Sequence, residues 1–122
     1  MRKILLVDDE PNLLEAIWRM IQIEESEWDV SFALSADEAL DKTAETDFDV
    51  IVSDVKMPIK SGLDLVRALR KLDKTKDIPI IILTGSTEVE LRQQALELGA
   101  SKVINKPFTV DKLVQELRQV MV

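Results

Sequence analysis

Two kinds of segment alternate along the chain. Short, nearly unbroken apolar runs lie at residues 4–7, 50–52, 78–83 (interrupted only by Pro79) and 103–104. They are rich in Val and Ile and lack in-out alternation, the pattern of parallel strands buried on both faces. A weaker run at residues 30–33 falls between the first two. Elsewhere apolar residues recur at helical spacing. Leu14, Ile17, Trp18 and Ile21 form one stripe; Leu65, Val66, Leu69 and Leu72 form a second; Val110, Leu113, Val114 and Leu117 form a third.

Local signals place the helix ends. Ser35 with Glu38 and Thr87 with Glu90 have capping-box spacing, so side chains at each pair can satisfy orphan amides. Pro11 suits a first helical turn, and Thr109 suits an N-cap. Gly99 stands where a helix over residues 87–98 should end, a position that favours left-handed backbone. The alternation predicts five βα units. Helical crossovers of one hand would cover both faces of a parallel sheet, giving a three-layer α/β/α sandwich. No repeat, low-complexity tract or Pro/Gly/Ser-rich linker divides the sequence, so a single domain over residues 1–122 is expected.

Composition removes several kinds of chemistry. Sixteen Lys plus Arg against twenty-three Asp plus Glu leave a net charge of −7. A nucleic-acid binder needs clustered positive charge to displace counterions, so direct DNA or RNA contact is not expected. Cys and His are both absent, which excludes disulfides, a Cys/His zinc site and any His-dependent catalytic pair. Asp8 and Asp9 end the first apolar run after four residues, short of the roughly seven of a signal core. No stretch approaches the ~18 apolar residues of a membrane span. A cytoplasmic protein is the expectation.

The polar residues that follow the apolar runs are the informative ones. Asp8, Asp9 and Glu10 follow the first run, Asp54 the third, Thr84 the fourth and Lys106 the fifth. In an open parallel sheet, ligands bind at the carboxyl ends of the strands where strand order reverses, so these side chains would converge on one rim. Like charges at ~4 Å repel by about 4 kcal/mol at an effective dielectric of ~20, so Asp8, Asp9 and Asp54 require a shared proton or a cation. An all-oxygen set completed by water suits Mg²⁺. A carboxylate, a metal, a hydroxyl and an ammonium together form a receptacle for a phosphoryl group, with Asp54 as the nucleophile. Each piece has a plainer reading by itself. The acidic cluster could be a dipole-favoured helix start, Asp54 and Thr84 turn residues, and Lys106 a solvated cation. Capping alone does not predict that four strand ends coincide. The stretches 24–27 and 71–76 show no such coincidence and read as solvated surface.

These residues resemble the response-regulator receiver domain of two-component signalling, chemotaxis-receiver-like. The resemblance spans essentially the whole chain. It rests on Ile4-Leu5-Leu6-Val7-Asp8-Asp9-Glu10, on the stretch from Asp49 through Asp54 to Met57-Pro58, and on Ile82-Leu83-Thr84-Gly85. Gly99-Ala100 and Lys106-Pro107-Phe108 complete it. It implies a flavodoxin-like five-stranded sheet of order 2-1-3-4-5 with five helices, and a cis Lys106–Pro107 bond. It implies Asp54 as phosphoacceptor, Mg²⁺ held by Asp8, Asp9, Asp54 and the Lys56 backbone carbonyl, and Thr84 and Lys106 on the phosphoryl group. The donor would be a phosphohistidine on a sensor histidine kinase or a histidine phosphotransfer protein. The output would be a downstream protein target or an effector domain missing from this sequence, and the only catalysis its own phosphorylation and dephosphorylation.

One position departs from the family pattern. Receivers commonly carry Tyr or Phe three residues before the strand-five Lys, and this chain has Val103. Output would then rely on Thr84 and on the helix at 87–98, whose apolar face is patchy (Val89, Leu91, Ala95, Leu98). Lys56 and Ser86, two residues beyond Asp54 and Thr84, are either ordinary surface or a control on access of the hydrolytic water. Three rival readings fit these residues less well. An aspartyl-phosphate hydrolase usually needs a second Asp where Lys56 stands. A flavin binder would want amides and hydroxyls where this chain is acidic. A phosphorylation-independent adaptor would keep its activity in Asp54→Ala.

Overall fold

The computed structural model describes residues 1–121. Five strands, β1 (Lys3–Val7), β2 (Asp29–Ala33), β3 (Val50–Asp54), β4 (Ile80–Thr84) and β5 (Lys102–Asn105), alternate with five helices. The helices are α1 (Pro11–Glu24), α2 (Ala36–Glu45), α3 (Gly62–Arg70), α4 (Val89–Leu98) and α5 (Val110–Val120). All strand pairs are parallel and the order is β2-β1-β3-β4-β5. This is the flavodoxin-like three-layer sandwich.

Alternate residues of each strand feed two separate cores. Leu5, Val7, Ile51, Ile80, Ile82 and Val103 face α2, α3 and α4, whereas Ile4, Leu6, Val50, Val52, Ile81, Leu83 and Ile104 face α1 and α5. Residues wholly inside on both faces explain why β1, β3 and β4 lack alternation in the sequence. β2 is an edge strand and only half-buried through most of its length, which accounts for its weaker signal.

Most helix boundaries follow their local signals. Pro11 opens α1, Thr109 caps α5 by accepting from the Lys112 amide, and Gly99 ends α4 at φ +117°. Ser35 caps α2, but the Glu38 carboxylate accepts from the Leu34 amide rather than from Ser35. Two further expectations fail. The Thr87–Glu90 capping box does not form: α4 starts at Val89, and its N-cap residue Glu88 makes no side-chain cap. Ser86 Oγ accepts from the Glu88 amide, forming a turn ahead of the helix, and regular helix begins only at Val89. Leu72 leaves its predicted stripe because α3 stops at Arg70, and it is half-exposed. A complete capping box, Ser61 with Asp64 at the start of α3, went unread in the sequence.

The stretch 71–76 is not wholly solvated either. Thr75 is buried and its hydroxyl donates to the Leu69 carbonyl at 2.6 Å. Beside it the Arg70 guanidinium donates to the carbonyls of Thr75, Ile78 and Gly99, tying the end of α3 to the entry of β4 and the end of α4. A side chain with a fixed fork of donors is suited to gathering loop carbonyls in this way.

Candidate functional site

The strand order reverses between β1 and β3, and the crevice at their carboxyl ends is where the candidate residues meet. Asp8 is the first residue beyond β1, and its amide donates to the Ala33 carbonyl, extending the ladder by one step. Its carboxylate accepts from the Glu10 amide at 3.1 Å, which holds it at the turn into α1. Asp54 is the last residue of β3 and Thr84 the last of β4. Lys106 follows β5, and its amide donates to the Thr84 carbonyl at 2.8 Å. The Lys106–Pro107 peptide is cis.

Oxygen atoms of Asp8, Asp9 and Asp54 lie within 4.8 Å of one another. Asp8 and Asp54 are buried, while Asp9 is exposed at the mouth. Lys106 Nζ reaches Asp54 at 2.9 Å and balances one of the three carboxylates. Burial pushes the Asp8 carboxyl up from 3.8 to about 6, reinforced by Asp9 and Asp54 and opposed by the Glu10 amide and by Lys106. Negative charge is therefore in excess at this rim. Three hard oxygen donors at such spacing match what a small divalent cation needs, with water completing its shell.

Thr84 is buried at the rim, and its Oγ accepts from the Ser86 amide at 3.0 Å. Lys56 is exposed, two residues beyond Asp54. The structure thus brings Asp8, Asp9, Asp54, Thr84 and Lys106 to one rim and leaves the Lys56 side chain outside it. Sequence reasoning missed Gly62. A Cβ there would lie 2.2 Å from the Asp54 carbonyl oxygen, so only glycine lets α3 start against the backbone at the end of β3. The Gly62 amide donates to the Val55 carbonyl, securing that approach.

A doubly wound parallel sheet with a buried acidic crevice paired to one lysine defines a class of domain, and comparison with known proteins narrows it. The profile for the response regulator receiver domain matches residues 4–118. The transcriptional regulatory protein PrrA of Mycobacterium leprae is 34% identical over 119 residues, covering 98% of this chain and 49% of its own length. The phosphate regulon transcriptional regulatory protein PhoB of Klebsiella pneumoniae is 34% identical over 120 residues, covering 98% of this chain and 52% of its own. The chain spans about half the length of these relatives. Among solved structures, the chemotaxis protein CheY4 of Vibrio cholerae superposes with a TM-score of 0.89 at 34% identity, covering 98% of both chains. The chain belongs to the response regulator receiver domain family. It is a receiver domain of two-component signalling, whose role is to accept a phosphoryl group.

Proposed function

We propose that Asp54 is the phosphoacceptor, taking its phosphoryl group from a phosphohistidine on a sensor histidine kinase or a histidine phosphotransfer protein. Residues 1–122 would act as one receiver domain, and Asp8, Asp9, Asp54 and the Lys56 backbone carbonyl would hold Mg²⁺. When bound, Mg²⁺ supplies positive charge that offsets the crowded carboxylates and the phosphoryl oxygens. The observation that carries this reading is the placement of Asp54: a buried carboxylate at the end of a central strand, 2.9 Å from Lys106 and within 4.8 Å of two further carboxylates.

The chain's own residues divide the work. An Asp54 oxygen attacks phosphorus, a P–O bond forms, and the P–N bond to the donor imidazole breaks with its electron pair leaving on nitrogen. Lys106 positions the acceptor oxygen through the ion pair and then faces the incoming phosphoryl oxygens. The Thr84 hydroxyl keeps its proton free to donate, because its oxygen accepts from the Ser86 amide. Hydrolysis later returns Asp54 to a carboxylate and releases orthophosphate when water attacks phosphorus. These two reactions are the only catalysis assigned to the chain.

The modified domain signals by changed affinity for a downstream protein or an attached effector domain. A net charge of −7 disfavours direct contact with nucleic acid, and among the described residues no helix is long and apolar enough to cross a membrane. An aspartyl-phosphate hydrolase would want a carboxyl general acid where exposed Lys56 stands.

Incubation with Mg²⁺ and a small acyl-phosphate donor, followed by intact mass and peptide mapping, tests the assignment. One added phosphoryl group on Asp54, absent in Asp54→Asn and abolished by a chelator, is the expected result. Labelling at another residue, or labelling indifferent to the chelator, would overturn it.

A further inference from the structure

Val103 of β5 is buried in the core beneath α4, with no polar tip to reach the rim. Two residues further along β5, on the same face, stands Asn105, paired in register with Thr84 across β4 and β5. Its carboxamide donates to the Ser86 carbonyl at 2.5 Å, and its oxygen accepts from Arg92 of the first turn of α4 at 3.4 Å. Ser86 is the junction. Its amide donates to Thr84 Oγ at 3.0 Å, and its own hydroxyl accepts from the Glu88 amide at 3.1 Å.

We infer that Ser86 and Asn105 form the relay through which occupancy of the Asp54 site reaches the start of α4, with Asn105 as the positioning residue. The inference rests on the assignment of Asp54 and Thr84 above. Asn105 is fixed to the sheet, whereas Ser86 belongs to the loop between β4 and α4. When the Thr84 hydroxyl turns toward a phosphoryl oxygen, it draws the Ser86 amide with it while Asn105 holds the Ser86 carbonyl. The strain falls on the Ser86–Glu88 bond and on the Arg92 contact, the two polar ties at the start of α4. That end is otherwise weakly held: Glu88 makes no side-chain cap and Val89 is 67% exposed. The other end is fastened, because Gly99 takes the left-handed turn and its carbonyl accepts two bonds from Arg70. α4 is thus a lever pinned at its C-terminus and pulled at its N-terminus.

The test is amide hydrogen exchange across α4 in the wild type, Asn105→Asp and Asn105→Leu, each with Mg²⁺, with and without beryllofluoride as the mimic of the acyl phosphate. Asn105→Asp keeps the shape and the acceptor for Arg92 but loses the donor to Ser86. In the wild type, the mimic should change exchange of the Glu88 and Arg92 amides, which donate to Ser86 Oγ and to the Glu88 carbonyl, by about fivefold, the factor that one hydrogen bond is worth. In both variants those amides should already exchange about fivefold faster without the mimic, and the mimic should change them less than about twofold. Labelling of Asp54 by an acyl phosphate, read by intact mass on the same samples, should match the wild type. A wild-type response retained in Asn105→Asp, or no response in a fully labelled wild type, overturns the relay. Absence of label in the wild type overturns the acceptor assignment instead. Retained melting temperatures identify the folded variants, and Asn105→Asp, isosteric with the native residue, decides if Asn105→Leu unfolds.

Discussion

α4 and α5 are near in length and flank the same edge strand, yet they are held by different means. α5 buries Leu113, Val114 and Leu117 against β1, β3 and α1, and Thr109 caps its start. α4 buries only Ala95, exposes Val89 and Leu96, and lacks a side-chain cap of its own. The second is anchored by polar ties at its two ends rather than by an apolar stripe. Polar ties are individually worth about 1 kcal/mol and can be exchanged for others, whereas a buried leucine has no alternative partner in water. One helix is built to stay and the other is able to answer a change at the rim.

Six substitutions, in four measurements, break or sharpen this contrast. Leu117→Ala should cost about 3 kcal/mol in urea unfolding, while Leu91→Ala in α4 should cost less than about 1 kcal/mol, because Leu91 is only partly buried and its site is open to water. Equal losses would erase the distinction. Asp8→Asn should stabilise the metal-free protein by about 2 kcal/mol at pH 7. The folded Asp8 carboxyl is raised to about 6, so the fold favours its protonated form. The penalty of ionised Asp8 is absent below the unfolded value, grows as pH rises through the window up to about 6, and is constant above it. Unfolding curves of the two proteins should therefore converge near pH 4 and separate at pH 7, and Mg²⁺ should stabilise only the wild type.

Gly99→Ala tests the pinned end of α4. A Cβ there would stand 2.8 Å from the Arg70 side chain at a φ of +117°, so about 1 to 2 kcal/mol should be lost, with faster amide exchange in the last turn of α4. Exchange confined to the first turn would put the hinge elsewhere. The smallest effects compare the caps. Thr109→Ala should cost about 1 kcal/mol, and Glu88→Ala should stay within about 0.5 kcal/mol, because only Thr109 accepts from a helix amide.

Much of this was legible in the linear sequence. Unbroken apolar runs identified strands buried on both faces, and helical stripes identified the faces of α1, α3 and α5 that pack on the sheet. The convergence of Asp8, Asp9, Asp54, Thr84 and Lys106 followed from the rule that parallel strands all end on the same rim. Signals failed at helix ends, where the turn before or after the helix set its length. The Ser86–Glu88 turn precedes a helix that starts only at Val89, and α3 ended at Arg70, two residues before the end of its apolar stripe.

By itself, then, the sequence determined which residues are inside, which strands are central and which side chains stand at strand ends. These depend on periodicity and on the burial free energy of each side chain, both of which are local properties of the chain. Only the tertiary structure decided that Asn105 meets Ser86 beside Thr84, that Arg70 gathers the carbonyls of two separate loops, and that Gly62 must lack a side chain beneath Asp54. Those contacts join residues whose separation in sequence carries no periodic signal. They come into being only when crossovers bring distant backbone within hydrogen-bond reach.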